Sequence, residues 1–257
     1  MSTQVLTRTT QLLRQLAISR SEGLRLVELC HLTGLERGTV HRLLKDLIIE
    51  GLVSQDHQSK VYFLGIAMFE MGMAVPAMRL RELCRGHLAK LSAETGETTV
   101  LTVRSGNDGV CIDYVQGRPV LGERPMQGVR SPLILGVPNM AILSGLTSLE
   151  IQKVSLASLS VVGLQDQDLA FKEIEAKVLR TQARGYALQD DTEVMGGVIL
   201  AVGLPDPIGS IIAAMSIFTA APVISKANTG QLVAALRLTQ KAVAEDLKNM
   251  PLSASRK

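Results

Sequence analysis

The sequence predicts an α+β protein with an N-terminal winged helix-turn-helix, a linker helix, and a second α+β domain whose antiparallel sheet is flanked by helices. Three observations support this prediction. Helical apolar stripes and a short hairpin pattern fill residues 1–65, a Met-rich apolar segment spans residues 66–77, and β-branched runs with further helical stripes fill residues 78–250. With 257 residues, 46% of them hydrophobic, the chain is long enough for two separate cores.

The first 65 residues follow the element order of a winged helix-turn-helix. Apolar spacing predicts a first helix that begins at Thr9 and ends near Ser19 to Gly23, and a short second helix that ends at Thr33-Gly34, where glycine favours the left-handed C-cap conformation. After this turn, a third helix has an i, i+3, i+4, i+7 stripe formed by Val40, Leu43, Leu44 and Leu47. Two short extended segments around the polar loop SQDHQS complete the pattern as a hairpin, the wing.

Hydrogen-bond donors occupy the opposite face of the third helix. An α-helix fits the major groove of B-DNA, where arginine bonds guanine bidentately and threonine meets a base or a phosphate. A lysine further along the helix and basic residues in the wing are expected at phosphates. A solvated helix face is the competing interpretation, which the preceding short helix, tight turn and following hairpin disfavour. The predicted contacts to double-stranded DNA are Arg37, Thr39, His41, Arg42, Lys45, His57 and Lys60.

The linker segment 66–77, IAMFEMGMAVPA, is too apolar to remain exposed on a monomer. We therefore predict that it packs at a subunit interface of a homodimer or a tetramer. Pro76 interrupts it, and a new amphipathic helix follows until Thr95 and Gly96.

The second domain begins with short β-branched runs, TTVLTVR, GVCIDYV and PVLGERP, separated by turn sequences, which predict an antiparallel meander. A helical stripe spans residues 166–184. Two strands, 197–204 and 210–218, flank the turn Pro205–Gly209, and a last helix follows. This order predicts helices that flank an antiparallel sheet.

Several function classes lack support in the sequence. Aromatic residues make up 3% of the chain, without tryptophan, which argues against base-stacking platforms for single-stranded nucleic acid. The three cysteines form no CxxC pair, and no catalytic triad, phosphate-binding loop or GxSxG motif is present. We therefore expect no enzyme activity, no cofactor and no metal. The absence of a long apolar run predicts a cytoplasmic protein that does not enter membranes.

The run LRLVELCHLTGLERGTVHRLLKDLIIEGLV, followed by YFLG, resembles the DNA-binding domain of the IclR family of bacterial transcription regulators. Downstream, LRELCRGHLAKLSAETGET, RTQARGYALQDDTE and AAMSIF resemble the effector-binding domain of that family, in the expected order. The resemblance implies a dimer or a dimer of dimers that binds a pseudo-palindromic operator. It also implies that a small organic effector binds to residues 78–250.

The resemblance places the effector against the sheet, beside a Pro-Leu segment, an acidic loop and the two late strands. The implied effector-binding residues are Arg130, Leu133, Val137, Pro138, Asp190, Asp191, Glu193, Val198, Leu200 and Ser216. Ile134 stands where the family has histidine, Asn139-Met140 where it has Gly-Lys, and Ile199-Leu200 where it has Arg-Cys. Because apolar groups replace polar ones, we expect an effector with substantial apolar or aromatic surface.

Two alternatives remain open from the sequence. The apolar substitutions are also compatible with a pocket filled by side chains, so that the second domain only oligomerises and binds no ligand. A DNA-tethered enzyme would require turnover, which the scarcity of histidines and nucleophile motifs disfavours.

Overall fold

The structure of the protein is a computed structural model in which the chain divides into two compact units, Met1–Met78 and Arg79–Lys257. It describes residues 2–118, 125–162, 166–189, 197–220 and 226–249. The predicted α+β class is confirmed, with a helix-turn-helix preceding an antiparallel sheet flanked by helices. No helix within these ranges is both long and apolar enough to cross a membrane.

The first unit contains helices around a two-stranded hairpin. Its elements are α1 Ser2–Ser19, α2 Leu26–Thr33, α3 Arg37–Ile49, β1 Val53–Gln55, β2 Tyr62–Leu64 and α4 Ile66–Met73, and α5 Pro76–Thr95 begins before its boundary. Helix α1 begins earlier than the predicted Thr9. Apolar spacing does not reveal its first turns because they are exposed and have no apolar stripe; Val5 and Leu6 both face solvent. The predicted linker ends as a helix at Met73, before Pro76 opens α5.

The core of the first unit holds α3 in place. Leu44 and Val40 are fully buried against Leu12 of α1 and Leu29 of α2. Gly34 ends α2 in the left-handed region at φ 66°, and its N–H donates to the carbonyl of Cys30 at 2.9 Å. This tight turn fixes the angle at which α3 leaves α2.

The second unit is built on one six-stranded sheet. Its strands are β3 Thr98–Ser105, β4 Asp108–Val115, β5 Arg130–Pro132, β6 Ala187–Leu188, β7 Gly197–Pro205 and β8 Ile211–Ala220. Its further helices are α6 Val137–Leu143, α7 Ser148–Val162, α8 Gln167–Arg184 and α9 Lys226–Asn249. The strands lie in the order β5-β4-β3-β8-β7-β6 and pair antiparallel throughout.

Separate cores cover the two faces of the sheet. Helices α5 and α9 pack on one face, where Leu88, Leu200 and Leu236 are fully buried. Helices α6, α7 and α8 form the other core, which includes Ile142 and Ala201. Because successive side chains of a strand point to opposite faces, Leu200 and Ala201 belong to different cores.

The structure departs from the sequence expectations between β4 and α8. The predicted strand PVLGERP lies largely outside the described residues, and an unpredicted strand, β5, forms at 130–132 on the sheet edge beside β4. Helices α6 and α7 were not predicted. In α7, Ser155 and Ser158 are buried beside Leu159, so serine interrupts the apolar stripe that would reveal the helix.

A bulge changes the direction of side chains along β4. Leu101 pairs with Asp113, but the next residue, Thr102, pairs with Cys111. The extra residue lets Cys111 and Asp113 face opposite sides of the sheet although they are two positions apart. Cys111 therefore faces the α6–α8 side, and Asp113 faces α5.

Candidate DNA interface and ligand cavity

Helix α3 presents a basic face to solvent. Arg37, His41, Arg42 and Lys45 are exposed, and Thr39 is half-buried. None of the three Arg and Lys side chains forms an ion pair within the described part of the chain. Their donors are therefore available to an external acceptor. The apolar stripe on the opposite side is buried, so this surface faces outward as the sequence predicts.

The basic face is a local feature, because residues 1–78 hold eight Lys and Arg against seven Asp and Glu, a formal charge of +1. A weakly charged unit attracts polyanions through the position of its cations more than through its total charge. For the attraction of DNA, the clustering of positive side chains on one side of α3 thus matters more than the net charge of residues 1–78.

The wing presents the other two predicted contacts, His57 and Lys60, both exposed at the hairpin tip. Asp56 organises this turn, since its Oδ1 accepts from the backbone N–H of Ser59 at 2.6 Å and of Gln58 at 3.1 Å. The Ser59 N–H is the main cause of a pKa of Asp56 below its ordinary value. Lys60 adopts φ 58°, and its N–H donates to the Asp56 carbonyl at 3.0 Å, which holds the tip in a defined conformation.

Replacing Lys60 with glutamine is expected to weaken binding to operator and to unrelated duplex by similar factors. A wing lysine that contacts a phosphate does not distinguish one base sequence from another. Removal of one phosphate contact lowers the magnitude of the slope of log K against log salt by about 0.9. Fluorescence anisotropy titrations at several salt concentrations measure both quantities. A loss restricted to the operator would contradict a phosphate contact.

A cavity of about 690 Å³ lies on the α6–α8 side of the sheet. Apolar groups from the sheet and from α6 form its body, namely Val100, Ile134, Val137, Met140, Ile199 and Phe218. Polar side chains enter from two walls. Asn139 and Ser131 lie on the wall made by α6 and β5, and Lys177, Arg180 and Arg184 lie on the wall made by α8.

The structure places only some of the predicted effector residues at this cavity. Val137 and Pro138 line it, and Ser216 is fully buried on the same sheet face with no hydrogen-bond partner for its Oγ among the described residues. Leu133 is fully buried within the adjoining core. Arg130 turns to Asp108 at 2.8 Å and donates to Ser105, so its guanidinium is occupied away from the cavity.

The assignment on β7 needs correction. Val198 and Leu200 face the opposite side of the sheet and pack in the core beneath α5 and α9, whereas Ile199 lines the cavity. The physical reason is strand alternation, which gives each face every second residue. The predicted Asp190, Asp191 and Glu193 lie outside the described residues.

The sequence interpretation missed the polar groups of the cavity. Lys177, Arg180, Thr181 and Arg184 line it at i, i+3, i+4 and i+7, the spacing of one helical face. That spacing was present in the sequence, but it looks like a solvated face until the helix is packed beside a sheet. Of Asn139, the sequence shows only that it stands where the resembled family has glycine.

Asn139 is 3% exposed and is held by its amide nitrogen. Its Nδ2 donates to the carbonyls of Leu135 at 2.8 Å, Pro132 at 3.1 Å and Ser131 at 3.3 Å, and to the Ser131 hydroxyl at 2.8 Å. Only a nitrogen satisfies carbonyl acceptors, so the side-chain amide has one permitted orientation. Its Oδ1 then lies against Gly109, where a Cβ atom would clash with it.

The cavity holds a cysteine but no reactive thiolate. Burial raises the pKa of the Cys111 thiol to about 11, and the nearby Asp113 carboxylate adds to the rise. A neutral thiol is a poor nucleophile and a poor metal ligand. In the ranges that the structure describes, no three His, Cys, Asp or Glu residues come together as metal ligands.

Comparison with known proteins covers both units. A family model of the IclR helix-turn-helix domain matches residues 5–57, and a model of the bacterial transcriptional regulator IclR C-terminal domain matches residues 72–245. The transcriptional regulator XynR of Escherichia coli K12 is 28% identical over 198 residues, which are 76% of this chain and 78% of that protein. The regulator KipR of Bacillus subtilis is 30% identical over 183 residues, 69% of this chain and 73% of that protein.

Solved structures share the fold along nearly the whole chain. An IclR homologue from Microbacterium hydrocarbonoxydans, complexed with 4-hydroxybenzoate, aligns at a TM-score of 0.76 with 16% identity, covering 95% of this chain and 99% of that one. The IclR of Thermotoga maritima aligns at 0.66 with 19% identity, covering 96% and 99%. At these identities the structural likeness concerns the fold alone.

Proposed function

Because the chain belongs to the IclR family of bacterial transcriptional regulators, we propose that a small organic effector bound in its second unit modulates operator binding by its first unit. The family consists of DNA-binding regulators and not of enzymes. The proposed operator is pseudo-palindromic, and the proposed binding species is a dimer or a dimer of dimers. In this proposal residues 1–65 bind DNA, residues 66–77 link the parts, and residues 78–250 bind the effector and oligomerise.

The cavity on the α6–α8 side of the sheet supports this proposal most directly. Its volume of about 690 Å³ lies within the range of small-molecule sites, roughly 300–1,000 Å³. A pocket filled by side chains would leave no such space. An apolar body with a few polar groups is also the usual composition of a site that orients one ligand.

The lining favours an effector with an apolar or aromatic body. Ile134, Ile199 and Phe218 would bury such a body, at a gain of about 25 cal/mol for each Å² removed from water. A two- or three-carbon acid would leave most of this surface uncovered. The complex of the Microbacterium hydrocarbonoxydans homologue with 4-hydroxybenzoate is an example of an aromatic acid bound within the same fold.

An aromatic or longer-chain organic acid is expected to bind with micromolar affinity and to change operator affinity at least tenfold. The operator is first found by genome-wide mapping of the bound DNA. Calorimetry with glyoxylate, pyruvate, benzoate, phenylacetate and 4-hydroxybenzoate then measures binding, and anisotropy with the operator measures its effect.

Two results would contradict this expectation. Micromolar binding of glyoxylate or pyruvate, with none of the aromatic acids, would overturn the proposed ligand class. If no compound of a broad metabolite panel alters operator affinity, the second unit only oligomerises, and effector control is refuted.

Helix α4 supports the proposed assembly. Ile66 is 70% exposed, Phe69 65% and Met71 58%, a density of exposed apolar side chains that a soluble monomer seldom maintains. A two-fold operator also needs two recognition helices about 34 Å apart, which one chain does not supply. We propose that α4 is covered by another subunit.

Purified protein is expected to have a mass that is an even multiple of 27.6 kDa in light scattering at micromolar concentration. Replacing Phe69 with glutamate should shift this mass toward the monomer and weaken operator binding, because a charge would then lie in an apolar interface. Glu70→Gln, on the same exposed helix, is the matched control. A wild-type monomer with full operator affinity would refute an α4 interface.

A further inference from the structure

One short segment before β5 contacts both faces of the sheet. It consists of residues 125–129, and its Met126 and Val129 side chains line the cavity. Gln127 lies between them in the chain but is not among the residues that line the cavity. Its Nε2 instead donates to Oδ1 of Asp113 at 2.8 Å, and Asp113 faces α5. Neighbouring side chains of the segment therefore reach the cavity on one side of the sheet and the α5 contacts on the other.

The bulge of β4 holds this segment through its backbone. The N–H of Cys111 donates to the carbonyl of Val129 at 3.0 Å, and the N–H of Gly128 donates to the carbonyl of Cys111 at 2.8 Å. Cys111 lines the cavity, whereas Asp113 faces α5 because the bulge inserts one extra residue between them. The segment is thus bonded to β4 at the point where the strand changes the face to which its side chains point.

Asp113 connects the segment to α5. Its fully buried carboxylate accepts from Arg85 Nη1 at 2.9 Å and lies 3.3 Å from Arg81 Nε. Both arginines belong to α5, which begins at Pro76 in the first compact unit and continues into the second. A change in the contacts of Asp113 therefore acts on a helix that has residues in both units.

The cavity side of the segment has apolar surface that a ligand could cover. Met126 is 45% exposed and Val129 is 48% exposed, although both line the cavity. A ligand that contacts these side chains removes their surface from water, and it thereby stabilises the position of the segment that gives the closest contact. Such a difference in contacts between two positions is what allows a ligand to shift a conformational equilibrium.

We infer that Gln127 couples the cavity to α5. A ligand in contact with residues 125–129 changes the hydrogen bond from Gln127 to Asp113, and Asp113 transmits this change to the arginines of α5. The inference rests on the proposed effector control and names the contact through which the ligand acts on the helix that leads to the first unit. Gln127 is a positioning residue, since its side chain does not line the cavity.

Hydrogen–deuterium exchange of the full-length protein tests this coupling without an effector. Coupling between two sites is reciprocal, so operator binding should change the exchange rates of residues 108–115 and 125–132 roughly twofold or more. A scrambled duplex at the same concentration and salt should leave them unchanged. In Gln127→Met, which keeps the side-chain length and removes the donor, the response to operator should be lost in both peptides.

A second variant tests the same route from the α5 side. Arg85→Gln removes the hydrogen bonds of this arginine to the Asp113 carboxylate and should also abolish the response to operator. Gln127 is exposed and the Arg85 side chain is 58% exposed, so both variants should keep the circular dichroism spectrum and thermal unfolding of a folded protein. A wild-type protein whose residues 125–132 do not respond to operator, or a full response in Gln127→Met, would overturn the inference.

Two matched controls should keep the wild-type response. Gln116→Met removes an exposed glutamine amide that bonds to no described residue, near the end of β4. Lys90→Gln removes an exposed cation of α5 that pairs with Glu94 at 3.9 Å and not with Asp113. If either control loses the response as Gln127→Met does, the coupling does not pass through Gln127 and the assignment is refuted.

Effector titrations separate this inference from the proposed function. If a compound of the metabolite panel changes operator affinity by the same factor in the wild type and in Gln127→Met, effector control stands and the role of Gln127 is refuted. If no compound changes operator affinity, but Gln127→Met abolishes the exchange response to operator, the coupling stands and effector control fails.

Discussion

Replacing Asp113 with alanine is expected to lower the free energy of unfolding of the second unit by about 2–4 kcal/mol. Asp113 is fully buried, and its carboxylate accepts from Arg85 Nη1 at 2.9 Å, Gln127 Nε2 at 2.8 Å and the Tyr114 N–H at 3.0 Å. Arg81 Nε lies 3.3 Å from its Oδ2. The carboxylate thus joins α5 to β4. Removing it leaves several donors without their shared acceptor.

The expected loss is below that of a fully buried ion pair because the arginines retain some hydration. The Arg85 side chain is 58% exposed and that of Arg81 is 29% exposed, so both can turn toward water. The Gln127 amide and the Tyr114 N–H also lose this acceptor, which adds to the expected loss. Urea unfolding followed by circular dichroism suits a chain without tryptophan.

Asp108→Ala is the matched control on the same strand. Its ion pair with Arg130 at 2.8 Å joins side chains that are 32% and 37% exposed, and such pairs contribute about 1 kcal/mol or less. If Asp108→Ala and Asp113→Ala destabilise the protein equally, the buried carboxylate is not the anchor of α5.

The winged helix-turn-helix was predictable because its signals are local. Apolar spacing, the Gly34 turn and the hairpin each lie within a few residues of one another, and the first unit forms from elements adjacent in sequence. The second unit brings residues together from distant segments. Strand β3 pairs with β8 more than a hundred residues later, a partnership that no local pattern indicates.

The cavity lining was harder to predict because β7 is apolar on both faces. Val198, Ile199, Leu200 and Ala201 are consecutive apolar residues, so sequence gives no alternation from which to choose a face. The sequence interpretation selected Val198 and Leu200, and only the packing of α5 and α9 against one side identifies Ile199 as the cavity residue.

The basic stripe of α8 shows a different reason why the cavity lining could not be predicted from the sequence. Charges at helical spacing usually mark a solvated face, and the sequence alone does not say which helix lies beside a cavity. Likewise, an asparagine becomes informative only when its amide nitrogen is seen bonded to the carbonyls of Pro132 and Leu135. The polar side chains that line the cavity were thus identified by tertiary contacts and not by sequence patterns.

Replacing Arg42 with alanine is expected to weaken specific operator binding by about 1–3 kcal/mol, roughly 5- to 150-fold in dissociation constant. Arg42 is exposed on α3, on the side away from the buried Val40 and Leu44, and forms no ion pair among the described residues. A bidentate contact from its guanidinium to a guanine would be lost, whereas the core would be unchanged. Circular dichroism and thermal unfolding should match the wild type.

The affinities for the operator and for a scrambled duplex, compared at matched salt, distinguish a contact to a base from general electrostatic attraction to DNA. Because residues 1–78 have a formal charge of only +1, loss of any arginine alters general attraction to DNA, and Arg14→Ala on the exposed side of α1 measures that effect. A base contact predicts that Arg42→Ala weakens the operator far more than the scrambled duplex, with little change in Arg14→Ala. Equal losses on both duplexes would instead assign Arg42 to a phosphate, and unchanged affinity would remove it from the interface.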